Sequence, residues 1–224
     1  MTTTSGELRN TDRTTLRRHR ERGHFERDLA YAILDEALIC HVGFQSGGST
    51  YVTPMTYARI EDTLFLHGAV GNRMLRALAE GKQACVTVTL LDGLVLARSA
   101  FHHSMNFRSV MLLGVPERVE DPEEKRAAVR ALLEHMVPGR SDDARGPNET
   151  ELTSTLFLRF PIDEGSAKVR TGPPLDDEED LELPFWAGVV PLEQRVRTPL
   201  PDPQLPTGTS PPEYLARYAA EASG

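Results

Sequence analysis

His67-Gly68-Ala69-Val70-Gly71-Asn72-Arg73 reads as a strand end, a glycine-containing loop and a helix start. Free N–H groups at such a helix start attract an anion, and Arg73 adds a charge-assisted donor. A second segment, Ser104-Met105-Asn106-Phe107-Arg108-Ser109, brings polar side chains and an arginine into a stretch otherwise suited to a strand. His67 is the titratable group nearest the first loop, and a phosphate-binding or structural role suits it better than acid–base catalysis. Hydrolase and nucleotide-hydrolysis signatures are missing: there is no G-x-S-x-G elbow, no P-loop lysine and no H-E-x-x-H. His102 and His103 are adjacent, and adjacent strand residues point to opposite faces, so the pair is a poor metal chelate. His19 and His24 lack partners at a ligand spacing, and the acidic run Asp176–Asp180 lacks the glycine and alternate spacing of a calcium loop. No metal site is expected. Cys40 and Cys85 are too far apart to suggest a disulfide framework or a zinc module, which suits a reducing, cytoplasmic setting.

These segments need a scaffold, and the hydrophobic pattern supplies one. Phe25, Leu29, Ile33 and Leu34 recur at helical spacing, so a short helix spans 25–34. Period-two alternation predicts strands over 38–44, 50–60, 63–67, 83–90, 94–101, 107–119 and 155–161, with a further one over 167–170. Gly47-Gly48, Glu61-Asp62 and Asp92-Gly93 read as the turns between them. A brief helix runs from Arg73 to Ala79, closed by Gly81, and a longer one follows Asp121-Pro122-Glu123-Glu124 to about Met136. Closely spaced strands with short turns favour a closed barrel over an open sheet, because closure removes exposed edges. The fold class is mainly β, an antiparallel barrel with short helices.

The chain has 224 residues, with 25 basic against 33 acidic side chains and a net charge of −8. That balance disfavours coating of nucleic acid or of an anionic membrane. No apolar run approaches the roughly 20 residues of a membrane span, and the first residues lack the apolar stretch of a secretory signal. Charge and proline are uneven. Six arginines fall between Arg13 and Arg27, and ten of the 16 prolines lie at or after Pro173. Three parts follow: an Arg-rich arm over 1–23, mobile or wrapped on the surface; a barrel domain over 24–172; and an extended, proline-rich tail over 173–224 that packs on the barrel or dimer.

Five strings in order then resemble one family. They are Thr53-Pro54-Met55-Thr56-Tyr57; Leu64 to Ala69 with Asn72-Arg73-Met74-Leu75; His103 to Val110; Gly165 to Gly172; and Phe185 to Leu192. Over roughly 24–195 the chain resembles the pyridoxamine 5′-phosphate oxidase-like flavin-binding proteins, and within them the nitroimidazole-resistance reductases. The resemblance implies an antiparallel split β-barrel of the FMN-binding type, and a homodimer with FMN in a cleft at the subunit interface. On it, Pro54, Met55, Thr56 and Tyr57 run beside the flavin ring. His67, Gly68 and Ala69 approach the ribityl chain and phosphate, and Asn72 and Arg73 hold the phosphate. Arg108 and Ser109 face the cofactor from a neighbouring strand, and Trp186 closes the pocket, from the other subunit if need be. Phe107 stands where many relatives carry tyrosine, Arg73 stands where lysine is common, and the substrate-phosphate grip of true pyridoxamine phosphate oxidases has no match in the acidic, proline-rich tail. The implied activity is an FMN-dependent oxidoreductase acting on a small organic substrate with a nicotinamide donor. The alternatives are a flavin or haem binder without turnover, with His41, His67 or His103 as axial ligand, and a deazaflavin-using relative.

Overall fold

The computed structural model describes residues 6–221. In chain order its elements are β1 (Gly23–His24), α1 (Arg27–Glu36), β2 (Cys40–Ser46), β3 (Ser49–Met55), β4 (Ala58–Ile60), β5 (Thr63–Ala69), α2 (Arg73–Ala79), β6 (Ala84–Leu96), β7 (Ser104–Gly114), β8 (Glu117–Arg118), α3 (Pro122–Met136), α4 (Glu149–Ser154), β9 (Thr155–Pro161), β10 (Glu164–Arg170), β11 (Gly188–Pro191) and α5 (Glu213–Glu221). The strands form two antiparallel sheets. The larger has the order β1-β10-β7-β6-β2-β3, and the smaller β4-β5-β9-β8. The chain passes between the sheets four times, from β3 to β4, β5 to β6, β7 to β8 and β9 to β10. This is the mainly β architecture that the alternation implies, divided into two sheets as the family resemblance implies.

The core lies between the sheets. One face of β6 and β7 contributes Val86, Val88, Val110 and Leu112, the smaller sheet Leu64, Leu66, Leu158 and Phe160, and α1 its Ile33 and Leu34. A second cluster, Phe65, Phe157, Val119 and Ala128, joins the other face of the smaller sheet to α3. α3 starts as its sequence dictates: the Asp121 side chain accepts from the N–H groups of Glu123 and Glu124, and Pro122 occupies the first turn.

Four expectations are corrected. The strand expected over 50–60 breaks at Thr56-Tyr57, and its halves enter different sheets. Tyr57 is fully buried there and donates its hydroxyl to the carbonyls of Leu34 and Ala37, the latter at 2.9 Å, so the corner is riveted to the end of α1. Asp92-Gly93 is not a hairpin. β6 runs straight through it, pairing with β7 along its length and shifting register by a bulge between Leu91 and Gly93. Gly93 is needed for closeness rather than for a turn: a Cβ there would lie 3.1 Å from the Val190 carbonyl oxygen of β11. The strand expected over 94–101 therefore ends at Leu96, and Ala100–His102 is a turn of 3₁₀ helix. The strand expected over 107–119 is instead β7 followed by the short β8.

The arm and tail both pack on the barrel. Leu8 is 2 % exposed, and Arg9 pairs through its backbone with Asp163. Arg9 and Arg13 clasp the carboxylate of Glu164, at 3.2 and 2.6 Å. Residues 1–5 lie outside the described residues. In the tail, β11 pairs with the second half of β6 on the same edge that β2 takes along the first half. Beyond the prolines, α5 docks through Tyr214 against Gly139 and Asp143, a helix the proline content had hidden.

Candidate functional site

β3 is the edge strand of the larger sheet, hydrogen-bonded to β2 alone. Pro54 is exposed, and Met55 and Thr56 are half-buried, so this backbone can accept a ligand along its free edge. Proline suits such an edge because no ladder partner needs its missing N–H. Alternation along β3 puts Tyr51 and Met55 on the core side. There Tyr51 stacks on Phe44 at 5.4 Å, and the Arg73 guanidinium sits 5.0 Å from the Tyr51 ring centroid, with Nη1 donating to its hydroxyl at 3.1 Å. This contact joins the start of α2 to the β3 edge. Arg73 is exposed and makes no ion pair among the described residues, so most of its donors remain free. Asn72 caps α2, its side chain accepting from the N–H of Leu75 at 3.2 Å. Gly68 lies close under α2, since a Cβ there would sit 2.9 Å from Leu75.

The other expected residues are distributed differently. His67 pairs with Phe157 across the strands and stacks on it at 5.9 Å, on the face of the smaller sheet that looks toward the second cluster. Its Nδ1 is buried without a hydrogen-bond partner, and burial pushes its pKa down. Ala69 is exposed at the end of β5. Arg108 and Ser109 are neighbours on β7, so their side chains take opposite faces. Arg108 turns to the α1 side and is held by Glu36 at 2.8 Å and by Asp92 at 2.8 and 3.0 Å, bonds that raise its already high pKa. Ser109 lies on the outer face and donates to the Lys168 carbonyl at 3.3 Å. Trp186 is 66 % exposed and folds over Gly188 at the start of β11, at the β6 end of the molecule. Within one protomer, then, the β3 edge, Gly68, Asn72 and Arg73 come together, while Arg108, Ser109 and Trp186 lie elsewhere. Tyr51 is the member of this cluster that the sequence reading missed. Its only signal was a strand position alternating with Met55.

The histidines also differ in setting. His41 and His103 are exposed, and His103 bonds to the Ser99 carbonyl at 3.0 Å. His102, Asp177 and Asp180 bring ligand-type atoms within 4.8 Å of one another. That grouping is a histidine beside two carboxylates of the acidic run, with no further buried ligand. Among the described residues no helix is long and apolar enough to cross a membrane.

Comparison with known proteins follows this geometry. The flavocytochrome Anf3 from Azotobacter vinelandii is 39 % identical, with a TM-score of 0.88, covering 93 % of this chain and 97 % of its own. An FAD and heme binding protein from Mycobacterium smegmatis is 36 % identical, with a TM-score of 0.85, covering 88 % of this chain and 97 % of its own. A candidate 5-nitroimidazole antibiotic resistance protein from Bacteroides thetaiotaomicron is 28 % identical, with a TM-score of 0.53, and covers 62 % of this chain and 81 % of its own. Curated protein sequences give no match. A family model described as pyridoxamine 5′-phosphate oxidase matches residues 26–169, which hold both sheets apart from β1 and β11, together with α1 to α4. With that match spanning both sheets and two relatives aligned nearly end to end, the chain belongs to the pyridoxamine 5′-phosphate oxidase family.

Proposed function

We propose that this protein is a flavin- and haem-binding redox protein that works as a homodimer. The observation that carries this reading is the extent of the similarity. The flavocytochrome and the FAD and heme binding protein align over 93 % and 88 % of the chain, well beyond the 26–169 that the family model covers. The arm and tail are therefore largely shared with a flavocytochrome and with a relative named for FAD and haem. The shorter resistance-protein match covers 62 %.

The residues present fit both groups. For a flavin, the free edge of β3 offers backbone groups beside the half-buried Met55, and Arg73 offers unpaired donors for a phosphate. Asn72 holds α2 in place through its cap. For haem, His67 is the one of the three candidate histidines with a buried, unpartnered ring nitrogen, the kind of group a ligand completes. A flavin accepts a hydride and passes on single electrons, and haem carries one electron at a time; the protein binds, orients and shields them.

The flavin is FAD or FMN. FMN fits the single phosphate locus at Arg73. The 36 % identical relative named for FAD favours the dinucleotide. A nicotinamide donor reducing the flavin, and a small organic or dioxygen-class electron acceptor, complete the reading. Dimerisation is supported by the tail, where Leu181, Phe185 and Trp186 are 53, 60 and 66 % exposed, a display more typical of an interface than of a monomer surface. The free thiols of Cys40 and Cys85 suit a reducing compartment; burial holds the Cys40 thiol up to about 12.

The test is to purify the protein, record its absorption spectrum and identify the released cofactors by mass spectrometry. FAD together with haem is the expected result. Flavin alone defeats the haem assignment, and a deazaflavin or no flavin defeats the reading as a whole.

A further inference from the structure

The outer face of the larger sheet carries a concentration of positive charge that the flavin reading does not use. Lys168 and Arg170 alternate along β10, and their cross-strand partners on β7 are Ser109 and Phe107. All four side chains therefore share one face, opposite the core residue Ala167. Arg22 precedes β1, which pairs Gly23 with Lys168 and so delivers a third cation to this strand end.

None of the three is adequately neutralised among the described residues. Arg170 is 6 % exposed, yet its donors go to uncharged oxygens: the Asn106 side chain, the Gly172 carbonyl at 3.2 Å and the Pro173 carbonyl at 3.1 Å. Its Nε is buried with no partner at all. Lys168 holds its ammonium 5.9 Å from the Phe107 ring centroid and makes no ion pair. Arg22 touches only the exposed Glu21, at 3.6 Å. Burial, and then the proximity of Arg22, lowers the pKa of Arg170. The other end of the same strand shows the contrast. Glu164 lies on the same face of β10, and Arg9 and Arg13 both reach it. A buried guanidinium beside like charge is unfavourable unless an anion completes it. Among the described residues no acidic side chain pairs with Lys168 or Arg170, and Arg22 has only the exposed Glu21.

We propose that Arg22, Lys168 and Arg170 form a second anion site, which takes the phosphate groups of a phosphate-ester ligand. Three neighbouring cations match a di- or trivalent anion better than a single carboxylate, and a guanidinium fork suits phosphate oxygens. β10 stands four strands from β3, about 19 Å at the usual strand spacing, so this is not the phosphate locus at Arg73 of the same protomer. The source this site takes is a soluble phosphate ester; the flavin phosphate of a second copy is the alternative that the experiment tests against.

The experiment separates these sources. Cofactor-loaded protein is titrated with inorganic pyrophosphate by calorimetry at low salt, for the parent, Lys168→Ala, Arg22→Ala and the control Arg130→Ala. Arg170 is left intact because its bonds to Gly172 and Pro173 anchor the tail. Lys168→Ala and Arg22→Ala are each expected to weaken pyrophosphate roughly 10-fold, with flavin absorbance unchanged and the control like the parent. Equal binding by all four proteins overturns the site. Loss of flavin on Lys168→Ala assigns the charge to the flavin instead and overturns a separate site. Protein purified without flavin leaves the titration readable, so failure of the flavin reading stays distinct.

Discussion

Arg73 and Arg108 share a residue type and an expected role, and their surroundings separate them. Arg108 is committed to Glu36 and Asp92, and a second negative partner is the last thing an incoming phosphate would tolerate beside it. Arg73 rests on an aromatic face with its donors open. Replacing Arg73 with alanine is therefore expected to weaken FMN binding to the apoprotein about 10- to 100-fold, the worth of one charge-assisted bond, and to leave riboflavin nearly unaffected. Fluorescence titration with the two flavins checks it; parallel losses would make Arg73 structural. Tyr57 is a different case, because its hydroxyl serves the fold. Tyr57→Phe strands the carbonyl of Leu34 in the core and leaves that of Ala37 to His135 alone, and urea unfolding is expected to show a loss of about 1–3 kcal/mol with flavin content maintained.

β10 shows how an element can be fixed by both its neighbours and its charge. Gly165 lies so close to β7 that a Cβ would fall 2.6 Å from the Met111 carbonyl oxygen and from Leu112 Cδ2. Gly165→Ala is expected to destabilise by about 1–3 kcal/mol, read as a lowered urea midpoint, because backbone rather than a flexible side chain must yield. One residue earlier, Arg13 first and then Thr11 hold the Glu164 carboxylate down to about 2. A carboxylate with a lowered folded pKa stabilises above its unfolded value, and that stabilisation is lost as pH falls through the folded one. The arm should thus stay clasped from neutral pH down to about pH 4 and release only toward pH 2. Glu164→Gln should release it at neutral pH, measured as faster tryptic cleavage at Arg17 and Arg18. Alternation along the sequence read the strands well, because each buries one face. It could not show where a strand changes sheets, since Thr56-Tyr57 keeps the pattern while the backbone turns. Asp92-Gly93 misled because a turn dipeptide and a bulge glycine look alike until β11, about 95 residues later, is seen beside it. Of the site, the β3 edge and Asn72-Arg73 were legible as local strings. The settings of Arg108, Lys168 and Arg170 were not, because the groups that pair with them, or fail to, arrive from distant parts of the chain.

At the scale of the molecule, the exposed Phe185 and Trp186 are the surface on which the proposed dimer rests. Light scattering is expected to give a dimer, and Trp186→Ala to shift it toward monomer; a monomer that keeps its flavin would refute the dimeric reading. β6 adds a consequence in time. Its second half is covered on one edge by β11 alone, and β11 ends at Pro191. During synthesis at roughly 5–20 residues per second, that edge stays bare for roughly 5–20 s after Leu96 is made. An uncovered strand edge recruits any extended peptide nearby. The nascent chain thus passes through an interval in which two neighbouring copies on one messenger could exchange tails, and the proline-rich stretch that follows, unable to extend a ladder, limits how far such an exchange could spread.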